Sequence, residues 1–444
     1  MENLADKLNR EPPEVLRSIK LISVIAGELG YPVYAVGGFV RDIILGVEDF
    51  DLDIVVEGDG INLTRELSRK LNVGWTAHMR FKTATIHIPG EVKIKLDVAT
   101  ARQEIYDSPA ALPKVNFGSI KDDLKRRDFT INAMAVDISR DSFGELVDFF
   151  DGRKDLRDKV LRVMHDLSFI DDPTRILRAV RFEQRFDFRI EPRTLKLLKE
   201  SLAQGMLERV HNHRLRDELI LILKEPDPVK SLRRINKLSG FKFIHPGLAV
   251  DDKTFALLKR VDGLYLWFAQ NFVHKHKHKV ERWLLYLIVL LENLSVVKLE
   301  RTLRSFAFHK KDIQKVISFK KDTAKVISKL KKEIPISGIH KILFPLSYEV
   351  VLLMLLKSGD GRVKRKIQDF LRVNSGIQIH LRGDELKELG VRPGPDFKLI
   401  LKELLYAKLD GKFSTREEEL LYLKNEILPD SSATPAFSRE SKKP

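Results

Sequence analysis

Asp51 and Asp53 lie two residues apart in Asp51-Leu52-Asp53-Ile54-Val55-Val56, whose alternation predicts a strand. Period two puts both carboxylates on one face, about 7 Å apart along the chain, with Leu52 and Ile54 turned to a core. Like charges so placed repel unless a cation sits between them. Mg²⁺ suits such a pair, because it takes few carboxylates and completes its shell with waters and substrate phosphates. A second predicted strand, VKIKLDVAT, presents Asp97 as a third ligand. Upstream, Val36-Gly37-Gly38-Phe39-Val40-Arg41-Asp42 reads as a strand, a tight turn and a new helix. Gly37 and Gly38 permit close backbone approach, the helix start offers unpaired N–H groups, and Arg41 can pair an oxygen: the makings of a triphosphate cradle.

Two later stretches could hold the rest of a nucleotide. Arg127, Asp128 and Asn132, within DLKRRDFTINAM, supply donors and acceptors for ribose hydroxyls. In DDPTRILRAVR, Pro173 fits the first helical position with Asp172 as N-cap. Arg175, Arg178 and Arg181 recur every three residues as a basic ridge, while Ile176, Leu177 and Val180 face a core. Arginines packed that closely need an anion to neutralise them.

The elements that must position these groups follow from periodicity. Residues 13–29, FVRDIILG and INLTRELSRKLN read as helices, and TATIHI pairs with VKIKLDVAT. Helical patterning dominates after about residue 140, so the predicted fold is α+β: a small N-terminal α/β head with a mixed sheet, then an elongated helical remainder. The expected divisions are a head at 1–145, a neck at 146–225, a body at 226–310, a tail at 311–430 and a disordered C-terminus at 431–444. The chain has 444 residues, 43% hydrophobic and 32% charged, a globular composition. It has no cysteine, which excludes disulfides, Cys-ligated zinc and a thiol nucleophile. With no basic-then-apolar leader and no apolar run of about 18 residues, a cytoplasmic location is expected. The net charge of +16 divides unevenly, −5 over residues 1–150 and +21 beyond, with +12 in 301–380 alone. That asymmetry points to a metal-dependent head joined to a track for a polyanion.

The motif Gly37-Gly38 with Arg41-Asp42, followed by Asp51-Leu52-Asp53, resembles the DNA polymerase β nucleotidyltransferase superfamily. The later motifs narrow the resemblance to the bacterial-type tRNA nucleotidyltransferase and poly(A) polymerase family, from about residue 31 to 190 and more loosely beyond. It implies addition of C and/or A from CTP and ATP to a tRNA 3′ end, with two Mg²⁺ ions on Asp51 and Asp53 and help from Asp97. It implies nucleotide contacts from Gly37, Gly38, Arg41, Asp42, Arg127, Asp128, Asn132, Asp172, Arg175, Arg178 and Arg181, with Asp172 and Arg175 on the base. Position 171 is Asp where the family usually has Glu. DGRKDLRDKVLRV resembles a motif joining head to neck through Asp151, Gly152 and Asp155. ARQEIYDSPAALPKVNFGS resembles a flexible loop, with Arg102, Glu104 and Tyr106 its actors. Gly390 to Pro395, before a helix, could offer amides to an RNA phosphate, and the His274, His276 and His278 run is a solvated basic loop. The alternatives are a poly(A) polymerase with the same head and, from another class, a non-catalytic RNA-binding protein.

Overall fold

The run Val33–Val36 (β1) and the run Asp51–Val56 (β2) pair antiparallel, with Ala35 opposite Ile54. The computed structural model in which this register is seen describes residues 3–47, 51–105, 108–110, 113–272, 280–374, 377–389, 391 and 394–428. The chain falls into two compact units, one ending at Pro246 and one beginning at Gly247.

In the first unit, Trp75–His78 (β3), Thr83–Ile88 (β4) and Ile94–Thr100 (β5) extend the sheet on one side. Beyond them, Arg102–Ile105 (β6) and Lys114–Phe117 (β7) form a separate hairpin. Ala135–Asp137 (β8) and Leu146–Val147 (β9) complete the seven-stranded sheet, in the order β3-β4-β5-β2-β1-β8-β9. Within this sheet only the β2–β5 pair is parallel, so the sheet is mixed as expected. Alternation decides which face is which. Leu52, Ile54, Leu96 and Val98 are all buried, whereas Asp51, Asp53 and Asp97 are on the other face. Helices Pro13–Glu28 and Gly60–Leu71 close the core through Ile19, Ile22, Leu63 and Leu67. The helix Gly60–Leu71 starts at Asp59, whose carboxylate accepts from the N–H groups of Ile61 and Asn62.

The same unit carries the helices that follow the sheet. Gly152 is packed so closely that a Cβ would collide with the Thr130 carbonyl oxygen. Asp155 accepts from Thr130 Oγ1 at 2.7 Å and from Arg162. These contacts tie the DGRKD segment to Thr130 and Arg162.

The second unit is helical, from Asp252–Phe272 through Pro395–Leu409 to Arg416–Tyr422. Tyr286 and Ile288, on the helix Arg282–Leu290, are fully buried. Among the described residues no single helix is long and apolar enough to cross a membrane. Tyr106, the histidines 274, 276 and 278, Gly390, Arg392, Pro393 and the stretch 431–444 lie outside the described residues.

Candidate active site

Antiparallel pairing of β1 with β2 assembles the site. Because the strands run in opposite directions, the end of β1 meets the start of β2, and the glycine corner is delivered to the carboxylates. Gly37 has φ of +70°, which disfavours any residue with a side chain. A Cβ there would lie 3.5 Å from Asp53 Oδ2 and only 2.5 Å from Arg127 Nη1. Parallel pairing of β2 with β5 sets Asp97 beside Asp53 in register. Three carboxylates therefore share one face of two neighbouring strands. Burial raises the Asp53 carboxyl to about 6; Arg127 opposes this, while Asp97 and Asp51 add to it.

Asp97, the expected third ligand, has neighbours of its own. Its two oxygens accept from Thr85 Oγ1 and Lys95 Nζ, each at 2.5 Å. Among the described residues no group of three His, Asp or Glu side chains is placed to hold a metal. Asp51 and Asp53 remain a chemically suitable pair of hard oxygen donors, and the elevated Asp53 marks a spot where added positive charge is favoured.

A cavity of about 630 Å³ opens above these strands, lined by Gly38, Asp51, Asp53, Arg127, Asp172 and Arg175 among others. Its floor is a dense polar network. Arg41 is buried; its Nε and Nη2 donate to Asp42 at 2.9 and 2.6 Å, and its Nη1 donates to Asn132 at 2.7 Å. Its guanidinium also lies 4.6 Å from the centre of the Phe186 ring. The sequence suggested Arg41 as an open phosphate ligand, yet Asp42 next to it already supplies a counter-charge.

The arginine helix, Thr174–Phe186, turns its basic ridge inward, where the spacing calls for a neutralising anion. Arg175 and Arg181 are only 5% and 6% exposed. The neutralising anions are protein carboxylates. Arg178 donates to Asp128 at 2.6 Å and to Glu218 at 3.1 Å, and Arg181 approaches Glu218 and Glu225 at 3.4 and 3.5 Å. Burial opposes ionisation of Asp128, but Arg178, Asn132 and Arg175 outweigh it and hold the carboxyl at about 2. Arg178 is correspondingly pushed up by Asp128 and Glu218 against the effect of burial.

Asp172 caps the helix from one position earlier than expected. The helix begins at Thr174, and Asp172, extended at φ −132°, accepts from Thr174 N at 3.1 Å and Thr174 Oγ1 at 2.6 Å. The same Oδ1 receives Arg214 at 2.8 Å. Arg175 donates through Nη2 to the Arg126 carbonyl at 2.7 Å, while its Nη1, Arg127 Nε and Arg181 Nε are buried without a partner among the described residues. Buried donors left open in a cavity fit a ligand rich in acceptors.

Other site residues escaped sequence reading. Arg214, Glu218 and Glu225 come from the helix Asn212–Lys224 and its end, about forty residues from their partners, with no motif around them. Asp123 is fully buried and holds Arg126 and Arg127 at 2.6 and 3.1 Å, which aims Arg127 at Gly37. Where a flexible loop was expected, the hairpin β6–β7 instead carries Arg102 and Glu104 on the cavity wall; Arg102 donates to Glu104 and to the Phe81 carbonyl, and Arg126 joins the same carboxylate at 3.1 Å.

This geometry agrees with comparisons to known proteins. Residues 33–162 match the poly A polymerase head domain, and residues 187–251 match the probable RNA and SrmB-binding site of polymerase A. The A-adding tRNA nucleotidyltransferase of Geobacter sulfurreducens is 37% identical over 93% of this chain, but the chain spans only 47% of that relative, under half its length. The A-adding tRNA nucleotidyltransferase of Halalkalibacterium halodurans is 32% identical, with 95% of each chain covered. Among solved structures, the Thermotoga maritima CCA-adding enzyme complexed with tRNA is 33% identical, with a TM-score of 0.69 over 96% of this chain and 99% of that one. Both the assembled site and these likenesses place the chain in the tRNA nucleotidyltransferase and poly(A) polymerase family.

Proposed function

We propose that the chain is a template-independent nucleotidyltransferase that extends the 3′ end of tRNA with A, C or both from ATP and CTP. The 3′-hydroxyl oxygen would attack the α-phosphorus, the bond to the β-phosphate oxygen would break, and pyrophosphate would leave while the hydroxyl proton passes to solvent. The observation that supports this most is the β1–β2 register, which sets the Gly37 backbone against Asp53 in the same cavity as Asp172 and Arg175.

Asp51 and Asp53 would hold Mg²⁺, which when bound supplies Lewis acidity to the attacking hydroxyl and charge neutralisation to the leaving group. The remaining work falls to the chain's own groups. Gly37, Gly38 and Arg127 would receive the triphosphate, with Arg41 and Asp42 keeping the corner rigid. Asn132 and Asp128 would face the ribose, with Arg178 and Arg181 fixing Asp128 and the helix behind it. Cytosine and adenine both carry an exocyclic amine beside an acceptor ring nitrogen. The second oxygen of Asp172 would accept from the amine, and Arg175 Nη1 would donate to the ring nitrogen, a pattern that uracil and guanine reverse. The second unit, rich in exposed lysine, would grip the RNA through phosphates.

The two relatives named as A-adding support addition of the terminal A; the structural likeness to a CCA-adding enzyme favours complete CCA as the second reading. Incubating the protein with tRNA ending before A, CA or CCA, with labelled ATP and CTP offered separately, decides between them. A long A tract would identify a poly(A) polymerase, and no product at all would sink the proposal. Asp51→Ala should lower incorporation by roughly a thousandfold or more with tRNA affinity preserved. Retained incorporation would remove the carboxylate pair from the chemistry.

A further inference from the structure

The second unit holds a cavity that the nucleotide site does not use. It measures about 640 Å³ and is lined by His340, Phe344, Leu401, Lys402, Tyr406 and Arg382, with other residues of 377–383. Three aromatic rings of this cavity lie against one another. His340 is stacked on Phe344 at 4.8 Å and 20°, and meets Tyr406 edge-on at 6.1 Å. His340 and Tyr406 are buried, whereas Phe344 is 61% exposed and leaves a ring on the surface. Lys341 Nζ lies 4.1 Å from the Tyr406 ring centre and Lys402 Nζ 5.6 Å, and neither forms an ion pair with a described residue. Among the described residues no carboxylate lines the cavity.

We infer that this cavity takes an unpaired nucleobase of the bound RNA, stacked on Phe344, with the flanking phosphates met by Lys402, Lys341 and Arg382. An apolar aromatic slot rimmed by cations is complementary to a flat ring carried on an anionic backbone. An apolar peptide segment would find the wall but would leave those cations without partners. The volume exceeds that of a single base, so a nucleotide with its sugar fits. The inference rests on the RNA substrate of the preceding section and adds to it a second recognition point, remote in sequence from the nucleotide site.

The test uses the full chain and a fluorescent tRNA transcript lacking its terminal A. Phe344→Ala, at an exposed position, should keep the fold and weaken tRNA binding roughly tenfold, while Phe344→Trp should stay within about twofold of the parent. Incorporation of labelled AMP at saturating tRNA should be equal in all three. Base-specific chemical probing should find one unpaired base protected by the parent and the Trp variant and reactive with the Ala variant. Unchanged affinity of Phe344→Ala in a chain that still incorporates overturns the base slot alone, and assigns the cavity to an occupant other than RNA. A parent chain that neither binds nor extends tRNA overturns both this inference and the function on which it rests.

Discussion

The helix Thr174–Phe186 and the helix Lys310–Leu330 are both rich in positive charge, yet they use it differently. The first buries Arg175 and Arg181 and neutralises its ridge with Asp128, Glu218 and Glu225. The second leaves Lys311, Lys321, Lys325 and Lys329 exposed, and among the described residues only some of its lysines have partners, such as Lys315 on Glu349 at 2.8 Å. Arginine suits the first role because its planar fork binds two carboxylates at fixed angles, while lysine is a mobile point charge suited to an irregular polyanion. Of the formal charge of +16, only +2 falls in residues 1–246 and +14 falls in residues 247–444.

Glu218→Gln should produce the largest effect on the first side of this contrast. It removes the shared counter-charge of Arg178 and Arg181, and stability should fall by about 3 kcal/mol, read from the urea midpoint. A loss well under about 1 kcal/mol would mean that the ridge is solvated after all. Asp128 gives a smaller, pH-dependent signal. Its folded-state value of about 2 lies below that of a free carboxylate, so ionisation stabilises the fold above about pH 4 and ceases to do so as pH falls toward 2. Between pH 5 and 3 the parent should lose about 1 kcal/mol more than Asp128→Asn; parallel urea midpoints across that range would dissolve the pairing. On the lysine side, Lys321→Ala with Lys325→Ala and Lys329→Ala should leave the melting temperature almost unchanged. Affinity for tRNA should drop several-fold, and the salt dependence should become shallower by roughly one unit for each phosphate that the chain no longer neutralises. An unaltered salt slope would move the RNA track elsewhere.

Local pattern carried much of this molecule into view. The alternation in Asp51-Leu52-Asp53-Ile54 is enough to place two carboxylates on one face, and the glycine pair marks the corner beside them. Pairing direction is not written locally, and neither is the parallel register that brings Asp97 alongside Asp53. The ion pair of Asp97 with Lys95 was also hidden, because the sequence offers Asp97 to a metal and gives no sign that Lys95, two residues before it on the same face, reaches its carboxylate. Arg214, Glu218 and Glu225 sit on an ordinary amphipathic helix, and only the tertiary packing turns them toward the site. Three-residue spacing revealed the arginine ridge and its apolar reverse of Ile176, Leu177 and Val180, but not that the ridge itself would be buried too. The pairing of β6 with β7 at the two ends of the expected loop was not legible, because both strands are short and mixed in polarity, with no strong period of their own.

One oxygen of Asp172 serves Thr174 and Arg214 together. A single exchange there disturbs the start of the helix and strands a guanidinium before it touches the question of which base is accepted. A change of nucleotide made through Asp172, in the role proposed for it, should therefore need Arg214 to change in concert. Libraries that vary both positions together should keep more folded variants than libraries that vary either one alone.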